Sequence, residues 1–120
     1  MHIKLMERHS GVRLNYDEAS FAQLDEMIEE GWGGEAPAML DTTVLPFGSF
    51  VGESIRRLLG GEWGYDEDKG CHLTQVGGVG MTLFPFDKVK KRFLNGDEDS
   101  LESYYAKIKQ IVEQERGRTE

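Results

Sequence analysis

Apolar residues recur at helical spacing from Phe21 through Leu24 to Ile28, with acidic residues interleaved, and this stretch predicts an amphipathic helix. Asp17 is placed to cap it and Glu18 falls in its first turn, where negative charge is favoured. Tyr16 and Phe21 occupy the two positions of a hydrophobic staple, and Gly31 suits the C-cap. The glycines and proline of Gly31-Trp32-Gly33-Gly34-Glu35-Ala36-Pro37 then predict a loop. A second helix is expected from Pro46, a residue favoured in first turns, to Leu59. Phe47, Val51, Ile55, Leu58 and Leu59 form its stripe, and Gly60-Gly61 ends it.

Three short strands follow at Glu62 to Asp66, Cys71 to Val76 and Val79 to Phe84. The connections Asp66-Glu67-Asp68-Lys69-Gly70 and Gly77-Gly78 are too short for parallel crossovers, so the strands read as an antiparallel meander. After Pro85, Phe86, Val89 and Phe93 suggest a short helix closed by Asn95-Gly96. Asp99 and Glu102 stand in capping-box spacing before a last helix, with Leu101, Tyr104, Tyr105, Ile108, Ile111 and Val112 on one side. Residues 113–120 are polar and are expected to fray. His2 to Leu14 shows weak alternation about His9-Ser10-Gly11, which permits a short strand or hairpin.

The order is α+β: two helices, a three-stranded antiparallel meander, then two helices, with the helices packed on one face of the sheet. At 120 residues the chain reads as a single domain over 1–120, with an ordered core at about 14–112. Its 38% apolar content suffices for one core without metals or disulfides. The lone Cys71 fits a reducing compartment and hence the cytoplasm. A signal-peptide core and a bilayer-spanning run are both missing from the sequence, so no membrane association is expected.

The net charge of −8 is unevenly spread. Between Leu14 and Ile55 there are nine acids and no lysine or arginine. Such a face repels a phosphate backbone, and the one basic cluster, Lys88, Lys90, Lys91 and Arg92, reads as a solvated helix turn. Nucleic acid is therefore not an expected partner. Glu26, Glu29 and Glu30 make the acidic face a surface for a protein partner.

Familiar catalytic and metal patterns fit poorly. Gly77-Gly78-Val79-Gly80 precedes a strand, whereas a phosphate loop needs a helix N-terminus behind it. A calcium loop begun at Asp66 would place Gly77 at the twelfth position, where a bidentate Glu is required. The zinc-ligand inventory is Cys71, His2, His9 and His72, and neighbours on a strand point to opposite faces. No metal or cofactor is expected, and Cys71 is read as buried and inert. Glu29-Glu30 and Asp97-Glu98-Asp99 read as solubility and capping.

Gly48-Ser49-Phe50-Val51-Gly52-Glu53 is different, because each glycine inside a helix costs about 1 kcal/mol against alanine. Gly48 and Gly52 share a face, which predicts close approach of another helix or strand. Glu53 stands beside it with Arg56 and Arg57 on its side. This group is either a local ion-pair set or a polar cluster near Trp63 where a ligand or partner backbone docks. Trp32 either folds back onto the core or stays exposed as a binding anchor.

Several separated motifs carry a resemblance. They are Leu14-Asn15-Tyr16-Asp17 with Ser20 and Leu24-Asp25, Gly48 to Glu53 with Arg56, and Gly60-Gly61-Glu62-Trp63. Pro85 with Lys88, Val89, Lys91 and Arg92, then Gly96 with Asp99-Ser100-Leu101 and Tyr104, complete the set. Together they resemble an uncharacterised family of small bacterial proteins, a domain of unknown function. The resemblance implies an intracellular bacterial protein and carries no activity or catalytic residue with it.

The expected function is a non-enzymatic module binding another protein or a small ligand, in a toxin-neutralising or stress setting, with Glu53, Arg56, Trp63 and Trp32 as candidate contacts. The alternative is a small enzyme with Glu53 as acid or base and Arg56 holding an anionic substrate. A homodimer built on the apolar stripe of the last helix is a third possibility.

Overall fold

Asp17 starts the first helix as its position implies, its carboxylate accepting the backbone N–H of Ser20 at 3.1 Å. A computed structural model describes residues 15–32 and 37–119, so the expected His2–Leu14 hairpin and residues 33–36 of the loop lie outside the described residues. The elements are α1 (Ser20–Trp32), α2 (Leu40–Leu59), β1 (Glu62–Asp66), β2 (Gly70–Val76), β3 (Met81–Leu83), α3 (Pro85–Asn95), a 3-10 turn (Gly96–Asp99) and α4 (Leu101–Thr119). This is the expected α+β order, with a sheet of order β1-β2-β3 and both pairings antiparallel.

Several boundaries differ from expectation. Gly31 lies inside α1, which closes on Trp32 instead. The two staple rings engage different helices, Tyr16 stacking on Phe50 at 5.0 Å and Phe21 on Tyr105 at 4.5 Å. α2 begins at Leu40, with Pro46 in its interior. There the proline withholds one hydrogen bond from the ladder, and the burial of Val44 and Phe47 on either side offsets that loss. A proline marks a helix start only when no apolar stripe runs back past it.

The meander carries one irregularity. Gln75 sits at φ 54° and the β2–β3 register shifts between Leu73 and Val76. In a regular strand those two side chains would face opposite ways; the bulge turns both into the core, where each is fully buried. α2 and α3 pack against β2. β3 begins at Met81, since Val79 and Gly80 belong to the turn.

The start of α4 is not held by the expected Asp99–Glu102 capping box. The cap is shared: Ser100 Oγ accepts the N–H of Ser103 at 3.3 Å, while from α1 Asp25 Oδ1 accepts the N–H of Leu101 at 2.9 Å and Oδ2 accepts the N–H of Glu102 at 3.0 Å and the hydroxyl of Ser100 at 2.9 Å. Asp99 instead accepts from Lys88 at 2.9 Å and Asn95 at 2.7 Å. α4 runs through Thr119, and in its last turns Arg116 donates to the carbonyls of Gly77 at 3.0 Å and Leu59 at 3.4 Å. The apolar stripe of α4 is spent on the core through Leu101, Tyr105, Ile108 and Val112, leaving Ile111 outside. None of the described helices is long and apolar enough to cross a membrane.

Candidate functional site

Two aromatic rings fill the glycine face of α2. A Cβ at Gly48 would come within 2.4 Å of the Phe86 ring, and one at Gly52 within 2.1 Å of the Trp63 indole. The close approach expected from the sequence is therefore that of α3 and β1. Their rings lie directly on the helix backbone, and this packing offsets the helix-propensity cost of the two glycines.

Glu53, next to Gly52 on α2, fixes the indole. Its Oε1 accepts from Trp63 Nε1 at 3.0 Å and from Arg56 Nε at 2.8 Å; its Oε2 accepts from Arg56 Nη2 at 2.6 Å and Arg57 Nε at 2.9 Å. A carboxylate offers about four lone-pair sites, so these bonds fill it. The bonds from Arg56, opposed by partial burial and assisted by Trp63 and Arg57, pull the Glu53 carboxyl from 4.5 down to about 2. Arg57 also lies over the Tyr16 ring, 3.9 Å from its centroid.

Between α2 and β1 these groups enclose a groove of about 660 Å³, lined by Tyr16, Ser49, Phe50, Glu53, Trp63, Gly64, Tyr65, Cys71 and Phe86. That size suits a small molecule or two or three side chains, and the lining is aromatic with few polar groups. A smaller hollow of about 350 Å³ shares Tyr65, Cys71 and Phe86 and reaches Leu45, Asp41 and Lys90. Leu45, Trp63 and Tyr65 stand 52%, 39% and 71% exposed, so large apolar surfaces gather around this trough.

Cys71 corrects an expectation: it is exposed, not buried. Leu73 and Val76 lie under the helices, whereas Cys71, at the hairpin end of β2 opposite Tyr65, faces the open groove. His72 points to the other face of the sheet, its ring 5.8 Å from that of Phe84, as strand alternation requires. Among the described residues, groups of three or more His, Cys, Asp or Glu side chains that could hold a metal are absent; His2 and His9 lie outside those residues.

Of the four residues singled out in sequence, Glu53, Arg56 and Trp63 come together at one end of the groove. Trp32 does not join them: it packs edge-on against Phe47 at 6.1 Å and Phe93 at 5.1 Å, half-buried on the core. Tyr16, Phe50, Tyr65 and Phe86 were not foreseen as site residues. The smooth glycine face signalled that something lies on it, and the period of β1 puts Tyr65 on the same side as Trp63. Nothing local signals that Tyr16 reaches Phe50.

The basic cluster is a solvated face only in part: Lys90 and Lys91 are exposed, but Lys88 and Arg92 turn inward. Arg92 is 1% exposed and donates to Asp25 at 2.8 Å and to Glu29 and Asp97 at 3.2 Å each. Lys88 pairs with Asp99 and Lys90 with Asp41. Comparison with protein-family models, curated proteins and solved structures gives no match.

Proposed function

We propose that this protein is a non-enzymatic binding module whose working surface is the aromatic groove between α2 and β1. One observation carries the reading: Glu53, with its acceptor sites filled, holds the Trp63 indole as one wall of a groove otherwise lined by Tyr16, Phe50, Tyr65 and Phe86. The occupant is an apolar ligand or the apolar side chains of a partner. Aromatic walls supply contact area at low entropic cost, and Ser49 and Cys71 offer the few polar atoms within reach.

The enzymatic alternative draws less support from the same geometry. A carboxyl with a pKa of about 2 is ionised at physiological pH, so it cannot serve as an acid and is too weak a base. Arg56 already commits two of its nitrogens to Glu53. Nucleic acid is also a poor fit, because Lys88, Lys90 and Arg92 are each paired to carboxylates.

The test is titration with an apolar fluorophore, anilinonaphthalene sulfonate, on the folded chain and on Ser49→Trp, whose new ring would occupy the groove. Enhancement in the parent that is lost in the variant is expected. Equal enhancement in both would remove the groove from consideration.

A further inference from the structure

This inference rests on the groove reading and adds the form and chemistry of the occupant. In a sheet of order β1-β2-β3 the two outer strands each present an edge. Natural sheets blunt such edges with short strands, bulges, lysines or prolines. β3 is three residues long and lies against the Gln75 irregularity. Among the described residues β1 has no bulge, lysine or proline: its five residues pair with β2 in unbroken register, Glu62 with Thr74 through Asp66 with Gly70, and its only charges are the acidic Glu62 and Asp66 at its two ends. Among the described residues β1 pairs with β2 alone.

The side chains of β1 divide by face. Trp63 and Tyr65 pair with Leu73 and Cys71 and look into the groove. Glu62 and Asp66 lie on the opposite face, both exposed, with Gly64 between them. A strand laid beside β1 would continue this alternation, sending every second side chain over the groove beside Trp63 and Tyr65. Its remaining side chains would stand next to Glu62, Gly64 and Asp66.

Charge selects among occupants. A second copy pairing antiparallel about Gly64 would set Glu62 opposite Asp66 on both sides, and like charges directly opposite are destabilising. Glu67 and Asp68 extend the negative edge into the turn. The backbone N–H groups of Asp68 and Lys69 bond Asp66 Oδ1 at 2.8 and 3.0 Å and hold its carboxyl below its ordinary range, so this charge persists. A complementary strand is basic where β1 is acidic and apolar where β1 is aromatic.

We propose that the β1 edge binds an extended segment of a partner protein with the alternating pattern basic, apolar, any, apolar, basic, its apolar residues entering the groove and its basic residues pairing with Glu62 and Asp66.

The test titrates the full chain with a blocked peptide centred on Lys-Val-Thr-Val-Lys, followed by backbone amide shifts and, in the free chain, by amide hydrogen exchange. Shifts centred on Trp63 to Tyr65 are expected, with affinity falling as salt rises. The Glu-Val-Thr-Val-Glu peptide should bind about tenfold more weakly, and Glu62→Lys should narrow that gap. Equal binding of the two peptides, shifts that miss β1, or no shift at millimolar peptide would overturn the proposal. Protection of all β1 amides in the free chain would overturn it too, assigning the edge to the chain's own residues, or to a second copy if protection depends on concentration. Should peptides fail while the fluorophore still distinguishes Ser49→Trp, the strand proposal falls alone; should both fail, the groove reading falls with it.

Discussion

Asp25 of α1 bonds Arg92 of α3 at 2.8 Å with the same carboxylate that starts α4. Three helices thus meet on one side chain. The guanidinium is almost wholly shielded from water, yet its partners Glu29 and Asp97 are 51% and 86% exposed, so Asp25 is its principal buried counter-charge. Removing one member of a buried pair costs more than the pair contributes, because the other is left uncompensated.

Asp25→Ala should therefore destabilise the chain by about 3 kcal/mol, the low end for a broken buried pair because Arg92 keeps Glu29 and Asp97. Glu26→Ala, an exposed neighbour on α1, should stay within about 0.5 kcal/mol of the parent. Urea denaturation of both variants compares them directly. A loss at Asp25 no larger than at Glu26 would refute the hub.

Three glycine-to-alanine exchanges in helices should diverge in sign. Gly31 meets nothing within 4 Å, so Gly31→Ala should stabilise by about 0.5 to 1 kcal/mol through helix propensity. Gly48→Ala and Gly52→Ala should destabilise by about 1 to 3 kcal/mol despite the same propensity gain, because the new methyl displaces Phe86 or Trp63. Thermal melts of the three variants are the check, and stabilisation at Gly52 would show that the indole does not rest there.

Glu53 contributes a pH-dependent stability whose sign follows from its depressed pKa. The contribution is fully present above 4.5, the ordinary value, and is lost as pH falls from there through about 2, where the folded-state carboxyl protonates. Glu53→Gln should lower stability at neutral pH by about 1 kcal/mol and flatten the acid limb over that window. Matched denaturation series with parallel slopes between pH 4.5 and 2 would contradict the assignment.

Cys71 should react fully with a thiol reagent in the native chain, without denaturant, because it is exposed. A bulky adduct there should also reduce fluorophore enhancement, since Cys71 lines the groove. Reaction only after unfolding would place the thiol elsewhere.

The elements with clean periodicity were legible in sequence: α1 from Phe21, Leu24 and Ile28, the meander from its turn residues, α3 from Pro85. So was one corner of the candidate site, because two helical glycines imply a neighbour lying against them and Trp63 was near at hand. What stayed hidden depends on distant partners. Beside the local Ser100 cap, α4 is held by Asp25, 77 positions before the Glu102 N–H it receives, and no local pattern encodes that bond. Arg92 sits in a run of lysines, and only the fold brings three carboxylates around it. Cys71 was misplaced because burial statistics for cysteine say nothing about whether a helix covers that end of a strand. Pro46 by itself points to a first turn, whereas buried Val44 belongs to a stripe that carries α2 back past it.

Arg116 bridges sequence distances of 39 and 57 residues when it closes on the carbonyls of Gly77 and Leu59. Closing loops of that length costs chain entropy before any bond is gained, while the β1–β2 hairpin forms from near neighbours. Such a clamp is expected to form late in folding, so Arg116→Ala should speed unfolding more than it slows refolding in stopped-flow denaturation.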